Sequence, residues 1–318
     1  MPAMRAIVIE KKGGPEVLEY REDAPEPVVG EDDLLVAVEA IGVNYRDVYE
    51  REGRGAVYGR AKVPLIVGAE GAGTVIEGPR SGEHVAWAAA PASYAERCAV
   101  PAANAITVPD GVSFEDAAAV VLQGMTAHYL CHSTYAVREG DVALVHAAAG
   151  GVGLLLTQMI KRRGGVVVAT TSSAEKASLA RGAGADHTVG YDEFADAVRE
   201  LGGAHVVFDA IGADTFETGM EILRPRGMFV LYGMASGPAP AYDPQRLQEK
   251  SLYLTRPGLP NYVATREELE WRAREVFGWV ADGSLAVRIG GRYALAEAQR
   301  AHEDLEARRS TGKLLLIP

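Results

Sequence analysis

The chain has 318 residues, 48% of them hydrophobic and 24% charged, with a formal net charge of −11 at pH 7. That length is too great for one small core and implies two domains, and the acidity, with no basic run, argues against nucleic-acid and anionic-membrane partners. No apolar stretch reaches the roughly 18 residues of a membrane span, and two cysteines, Cys98 and Cys131, build no disulfide framework, which fits a reducing cytoplasm.

The start, "MPAMRAIVIE", lacks the apolar core of a signal peptide and reads as a first strand. Further short strands follow as "LLVAVEAIGVN", "GAGTVIEG", "HVAWA" and "SYAERCAVP", broken by Gly and Pro, which predicts a mostly antiparallel, barrel-like β domain over about 1–110. A helix begins in 111–123, where Ser113 is the expected N-cap and Asp116 completes a capping box. From about 124 the texture changes. Strand "DVALVHA", helix 151–163, strand "VVVAT", helix 174–181, short strand "HTV", helix 194–201, strand "HVVFDAI", helix 214–223 and strand "GMFVLYG" alternate. Apolar strands alternating with helices predict a parallel sheet covered on both faces. The tail holds two amphipathic helices, "REELEWRAREVFGWVADG" and "LAEAQRAHEDLEARR", and a last strand "KLLLIP". It lacks the βα repeat and is expected to rejoin the first domain. The predicted fold class is therefore α/β, with a doubly wound parallel-sheet domain over 124–264 and a second, barrel-like domain built from 1–123 and 265–318.

The turn "LVHAAAGGVGLLL" joins strand to helix. Ala148, Gly150 and Gly153 occupy the first, third and sixth places of a G-x-G-x-x-G-like pattern. The third place allows close backbone approach to a pyrophosphate, the sixth allows close helix–strand packing, and the helix N-terminus turns free N–H groups toward the phosphates. Alone, such a turn also serves plain packing. Inside a βαβαβ series it reads as a dinucleotide site.

An NAD site usually carries an acid at the end of the second strand to hold the ribose 2′-OH. Here that end reads "VVVATTSSAEK", with Thr171, Ser172 and Ser173 in the acid's place and Lys176 in the next turn. Hydroxyls and a cation suit a 2′-phosphate, which favours NADPH. The bland alternative is a helix cap at Ser172 or Ser173 beside a solvated Lys176.

Several motifs in order carry a resemblance to a known family. They are "GGPEVLE" (13–19), "AIGVNYRDVYEREG" (40–53), "VGAEGAGTV" (67–75), "AAAVVLQGMTAHYL" (117–130), "VHAAAGGVG" (145–153), "VVFDAIG" (206–212), "LYGMASG" (231–237), "SLYLTRP" (251–257) and "AQRAHEDLEARRSTGKLLLIP" (298–318). Together the chain resembles the zinc-free, zeta-crystallin-like quinone oxidoreductase branch of the medium-chain dehydrogenase/reductase superfamily. The resemblance implies a Rossmann cofactor domain and a GroES-like catalytic domain. Zinc-dependent members of the superfamily carry a His where this chain has Ala69, a Cys after the "GVN" region and a Cys₄ cluster. This chain has none of these, so no metal site is expected and alcohol oxidation is disfavoured.

By that resemblance, Asn44 makes hydrogen bonds near the nicotinamide or acceptor, and Tyr45 and Tyr49 flank the ring, with a phenol available as a donor. Arg46 and Asp47 form at least a local ion pair. Thr126 and Tyr129 start the helix beneath the nicotinamide. Gly151 and Val152 continue the phosphate turn, and Tyr191 joins Lys176 around the 2′-phosphate. Ile211, Tyr232, Gly233, Ala235 and Ser236 follow parallel strands where the dinucleotide lies, and Pro257 and Gly258 close over the nicotinamide amide. His146 is expected to be packed or hydrogen-bonded rather than a base. The stretch after Gly78 and the loop 53–64 depart from the family pattern, and with them the acceptor preference.

The implied function is metal-independent reduction of quinones by NADPH in a cytoplasmic homodimer. An alkenal or enone reductase on the same scaffold is the near alternative. A non-enzymatic NADPH-binding protein, crystallin-like or RNA-binding, is the alternative from another class, and acidity counts against RNA.

Overall fold

The computed structural model describes residues 3–54 and 57–318; Met1 and Pro2 of the first predicted strand, and Gly55 and Ala56 of the divergent loop 53–64, lie outside them. Contacts between Cα atoms divide the chain into two units, 1–122 with 263–318, and 123–262.

In the first unit the long strand Asp33–Val43 organises the sheet. It pairs antiparallel with Gly71–Glu77, with Arg97–Pro101 and with the last strand, Lys313–Ile317. The tail therefore returns to this sheet through the last strand. One pair in the sheet is parallel, Ile289–Ala294 beside Lys313–Ile317. The period-2 pattern of Asp33–Val43 places Leu34, Val36, Val38 and Ala40 inside, where Trp87, Val85 and Leu314 also pack. A smaller sheet pairs Ala3–Ile9 with Glu19–Pro25 and Leu65–Ile66. The polar strand Glu19–Pro25 ("EYREDAP") and the glycine-bearing strand Ile289–Ala294 ("IGGRYA") were not legible as strands, because neither carries an apolar alternation.

The second unit holds six parallel strands. In spatial order they are His187–Val189, Val166–Thr170, Val142–Val145, Ala204–Asp209, Leu223–Leu231 and Tyr253–Thr255. In chain order this is third, second, first, fourth, fifth, sixth, the doubly wound order of a dinucleotide fold, with its reversal between the first and fourth strands. Both of those strands are fully buried over most of their length, as strands covered on two faces must be. The fold class expected from sequence is thus the one observed.

One expectation needs correction. The helix entering the second unit runs Phe114–Tyr129, so Thr126 and Tyr129 lie in its last turn rather than at its start. It then continues as a π-helical turn, Leu130–Thr134. Its predicted N-cap does form: Ser113 Oγ accepts from the Asp116 amide at 3.0 Å and donates to the Asp116 carboxylate at 2.7 Å.

Candidate functional site

In the second unit the site residues gather at the carboxyl edge of the parallel sheet. Gly150 caps the helix Gly151–Arg162, whose first-turn amides have no carbonyl within the helix to bond. The turn is tight. A Cβ at Gly153 would stand 2.4 Å from Ala147 O and 2.7 Å from Ala148 Cα, so only glycine lets helix and strand approach this closely. At Gly150 an added Cβ would meet protein only at Ala147 O, 3.2 Å away, so the backbone there is open to a ligand oxygen. Ala147 itself sits at φ +52°, a left-handed conformation that costs a residue with a Cβ roughly 1–2 kcal/mol. Its carbonyl accepts from the Gly150 amide at 2.9 Å, and its amide donates to the Tyr191 hydroxyl at 3.2 Å.

The second strand ends where the sequence placed a phosphate reader. Ser173 caps the helix Ala174–Gly182, its Oγ accepting from the Lys176 amide at 3.3 Å. Lys176 Nζ donates to Ser172 Oγ at 3.4 Å. Both serines are exposed, and no carboxylate occupies the strand end at Thr170–Ser173. The capping role and the clustering of hydroxyls with an ammonium therefore coexist. Tyr191 follows the neighbouring strand His187–Val189, which aligns Val189 with Thr170.

His146 lies at the strand-order reversal. It is fully buried; its Nδ1 pairs with Thr170 Oγ1 at 2.9 Å, its ring stacks on Tyr191, and Phe194 meets it edge-on. Burial lowers its pKa to about 4, so it is neutral at pH 7 and packed, as expected.

Beyond the reversal, Asp209 organises the far side. Its carboxylate accepts from the Ile211 and Gly212 amides at 2.5 and 3.0 Å and from Thr215 Oγ1 at 2.6 Å. Its carbonyl takes the Tyr232 and Gly233 amides. A Cβ at Gly233 would meet Ala210 O at 2.4 Å, which explains the glycine. The Ala235 amide donates to Ala210 O, and Ser236 donates to Ile211 O from both its amide and its hydroxyl. Ser236 is therefore committed to holding the loop. Burial and the nearby Asp209 raise the Tyr232 phenol above its ordinary pKa, so it stays protonated. Tyr129 is buried and stacks on Tyr262 at 4.3 Å, and Thr126 is also buried. Pro257 and Gly258 follow the sixth strand, where the Gly258 carbonyl accepts from the Asn261 amide at 3.1 Å.

The first unit holds the three residues expected beside the acceptor. Asn44 is the N-cap of the helix Tyr45–Glu52, its amide donating to Asp47 Oδ2 at 2.9 Å. Its side chain faces a buried ionic cluster. Nδ2 donates to Glu70 Oε2 at 2.6 Å and to Gly42 O at 3.2 Å, and Oδ1 accepts from Lys313 Nζ at 2.8 Å. Lys313 also pairs with Glu70, and Glu70 Oε1 accepts from the Leu122 amide at 2.7 Å. Tyr45 OH donates to the Leu305 carbonyl at 3.0 Å. Tyr49 is buried, its ring 5.8 Å from Tyr58 and 6.1 Å from Tyr45.

Behind this helix runs a second buried chain. Arg51 Nη1 donates to His302 Nδ1, so His302 carries its proton on Nε2, which donates to Tyr94 OH. Tyr94 OH donates to Asp47 Oδ2 at 3.0 Å. Burial and the adjacent Arg51 lower the His302 pKa to about 3 and keep it neutral. Burial pushes Asp47 up to about 6, against the pull of Arg46, whose Nη1 lies 3.4 Å from its carboxylate. Glu70, Lys313, Arg51, Tyr94 and His302 were not singled out from sequence. Two signals existed: Glu70 directly follows Ala69, and Lys313 opens an otherwise apolar strand.

Both halves of this arrangement have known counterparts. A model described as the alcohol dehydrogenase GroES-like domain matches residues 30–139, and one described as zinc-binding dehydrogenase matches residues 151–272. A quinone oxidoreductase of Pseudomonas aeruginosa is 43% identical, over 96% of this chain and 97% of its own. The chain belongs to the quinone oxidoreductase branch of the medium-chain dehydrogenase/reductase superfamily. Within that superfamily it is also 37% identical to a 2-haloacrylate reductase of a Burkholderia species, over 98% of each chain. The solved Escherichia coli quinone oxidoreductase complexed with NADPH matches with a TM-score of 0.94 at 37% identity, covering 99% of this chain and all of that one.

Asp47 gives this unit a pH signature. Its folded pKa, about 6, lies above the ordinary 3.8, so the folded state binds the proton more readily than the unfolded one. Stability referred to Asp47 is then highest below pH 4 and falls as pH rises through 6. Measured by urea titration, the stability of wild type relative to Asp47→Asn should decline from pH 4 to 6.5 and level off above. A difference that instead grows with pH would mean that the hydrogen bonds to the carboxylate outweigh burial.

Proposed function

We propose that this chain reduces quinones with NADPH and without a bound metal. The observation that carries the cofactor is the donor set of the second unit. First-turn amides of a helix, an open glycine face at Gly150, and Ser172, Ser173 and Lys176 at a strand end that itself carries no acid, Glu175 lying in the first turn of the following helix, all complement phosphate. NADPH, when bound, supplies the hydride. Gly150, Gly151 and Val152 hold the pyrophosphate, Lys176 with the two serines meets the 2′-phosphate, and the loops at Ile211, Tyr232–Ser236 and Pro257–Gly258 shape the rest. Their rigidity is what positions the reactants.

The acceptor reading draws on two groups of the first unit that are already engaged. The Asn44 amide is spent on Glu70, Gly42 and Lys313, and the Tyr45 phenol on Leu305 O. An enone benefits from a donor placed at its carbonyl oxygen. A quinone that accepts a hydride needs one further proton to become the hydroquinone, and water can supply it. The arrangement therefore favours quinones. Similarity to a 2-haloacrylate reductase supports a second reading, reduction of an activated C=C bond.

Metal independence rests on side-chain chemistry. Ala69 has no ligand atom, Glu70 is bound to Lys313, Asn44 and the Leu122 amide, and two cysteines in all cannot form a Cys₄ cluster. Cys98 and Cys131 are both buried and form no disulfide, which fits action in a reducing compartment.

A homodimer is the companion proposal. The strand Tyr253–Thr255 ends the parallel sheet, with Tyr253 56% and Leu254 38% exposed. An apolar open edge invites pairing with a second copy.

NADPH oxidation across a panel tests the reading. Quinones should show a higher kcat/KM than simple enones, alcohols should be inert, and the active protein should hold well under one zinc per chain. Higher kcat/KM for enones would establish the second reading, and stoichiometric zinc whose removal abolishes turnover would overturn metal independence. Light scattering tests the dimer: wild type should show twice the chain mass, and Leu254→Arg should shift it toward one. A monomeric wild type at micromolar concentration contradicts the dimer.

A further inference from the structure

We infer that Tyr191 is a positioning residue for the phosphate turn, rather than only a neighbour of the 2′-phosphate. Three ties hold Ala147 in its left-handed conformation. One is the bond from the Gly150 amide to its carbonyl, and one is the bond from the Ala148 amide, the other half of the same peptide group as that carbonyl, to Thr170 O at 3.1 Å. Both act on that peptide group. The third is the Tyr191 hydroxyl, which accepts from the Ala147 amide at 3.2 Å and so fixes the other end of the residue.

Tyr191 is itself braced. It follows the strand His187–Val189, in register with Val166–Thr170, and its ring lies nearly parallel to that of His146, 11° between planes. His146 is in turn bonded to Thr170 and boxed by Phe194. The phenol therefore reaches the turn from a rigid support, and the turn's shape depends on it. Every dinucleotide has a pyrophosphate, so this role is independent of the 2′-phosphate. A residue that only reads the 2′-phosphate affects NADPH alone, whereas a turn brace affects NADPH and NADH together.

The inference rests on the dinucleotide reading of the turn, and its test separates the two. Dissociation constants for NADH and NADPH are measured for wild type and Tyr191→Phe, which keeps the ring stack and removes the hydroxyl. Loss of one neutral hydrogen bond should weaken NADH roughly three- to tenfold, with NADPH weakened at least as much. The apo melting temperature should stay within about a degree. Ala147→Gly added to Tyr191→Phe removes the Cβ that opposes φ +52° and should recover part of the lost NADH affinity. Unchanged NADH binding in Tyr191→Phe overturns the inference, whatever happens to NADPH. So does a fall of several degrees in apo melting temperature, which marks a folding role, and so does a double variant no better than the single one. A wild type that binds neither nucleotide refutes the dinucleotide reading itself, before any variant is made.

Discussion

The cofactor unit depends on one close approach. Helix Gly151–Arg162 meets the end of strand Val142–Val145 with no room for a side chain at Gly153, since Ala147 O would lie 2.4 Å from its Cβ. That contact sets the helix N-terminus against the sheet edge. It also forces Ala147 into a conformation that other residues must stabilise. Behind the turn, Tyr191 stacks on His146, which burial keeps neutral.

The first unit is governed by a different constraint, burial of charge. Glu70 and Lys313 are almost wholly withdrawn from solvent, which is unfavourable unless every polar atom is matched. Asn44, itself donating to Gly42 O, and the Leu122 amide supply the matching. The result fixes the start of the helix Tyr45–Glu52 and leaves the Asn44 amide and the Tyr45 phenol internally satisfied. A site whose donors are occupied in this way suits an acceptor that needs orientation and dryness more than acid catalysis.

The fold was legible where patterns were strong. The βα alternation from Val142 onward and the small-residue turn stand out from sequence alone, because buried parallel strands and glycine-dependent turns each leave a local signature. The strands Glu19–Pro25 and Ile289–Ala294 did not, since their pairing is dictated by distant partners rather than by their own composition. The same limit applies to the site. Ser172, Ser173 and Lys176 lie within five positions of one another, so their grouping was legible. Glu70 and Lys313 are 243 residues apart, and only the sheet that pairs the last strand with Asp33–Val43 brings them together. The helix position of Thr126 and Tyr129 was misplaced because a largely apolar run shows a helix but not where it starts or ends.

The central claim is that the end of strand Val166–Thr170 selects a phosphorylated dinucleotide through Lys176 and its two serines. Dissociation constants for NADPH and NADH in wild type and Lys176→Ala address it most directly. Wild type should prefer NADPH. Loss of a charge-assisted contact, roughly 1.5–3 kcal/mol, should weaken NADPH about ten- to a hundredfold. NADH, which lacks the phosphate, should bind the variant almost as it binds wild type. Equal losses for both nucleotides would mean that Lys176 supports the helix rather than reading a phosphate, and a wild type that prefers NADH would contradict the account outright.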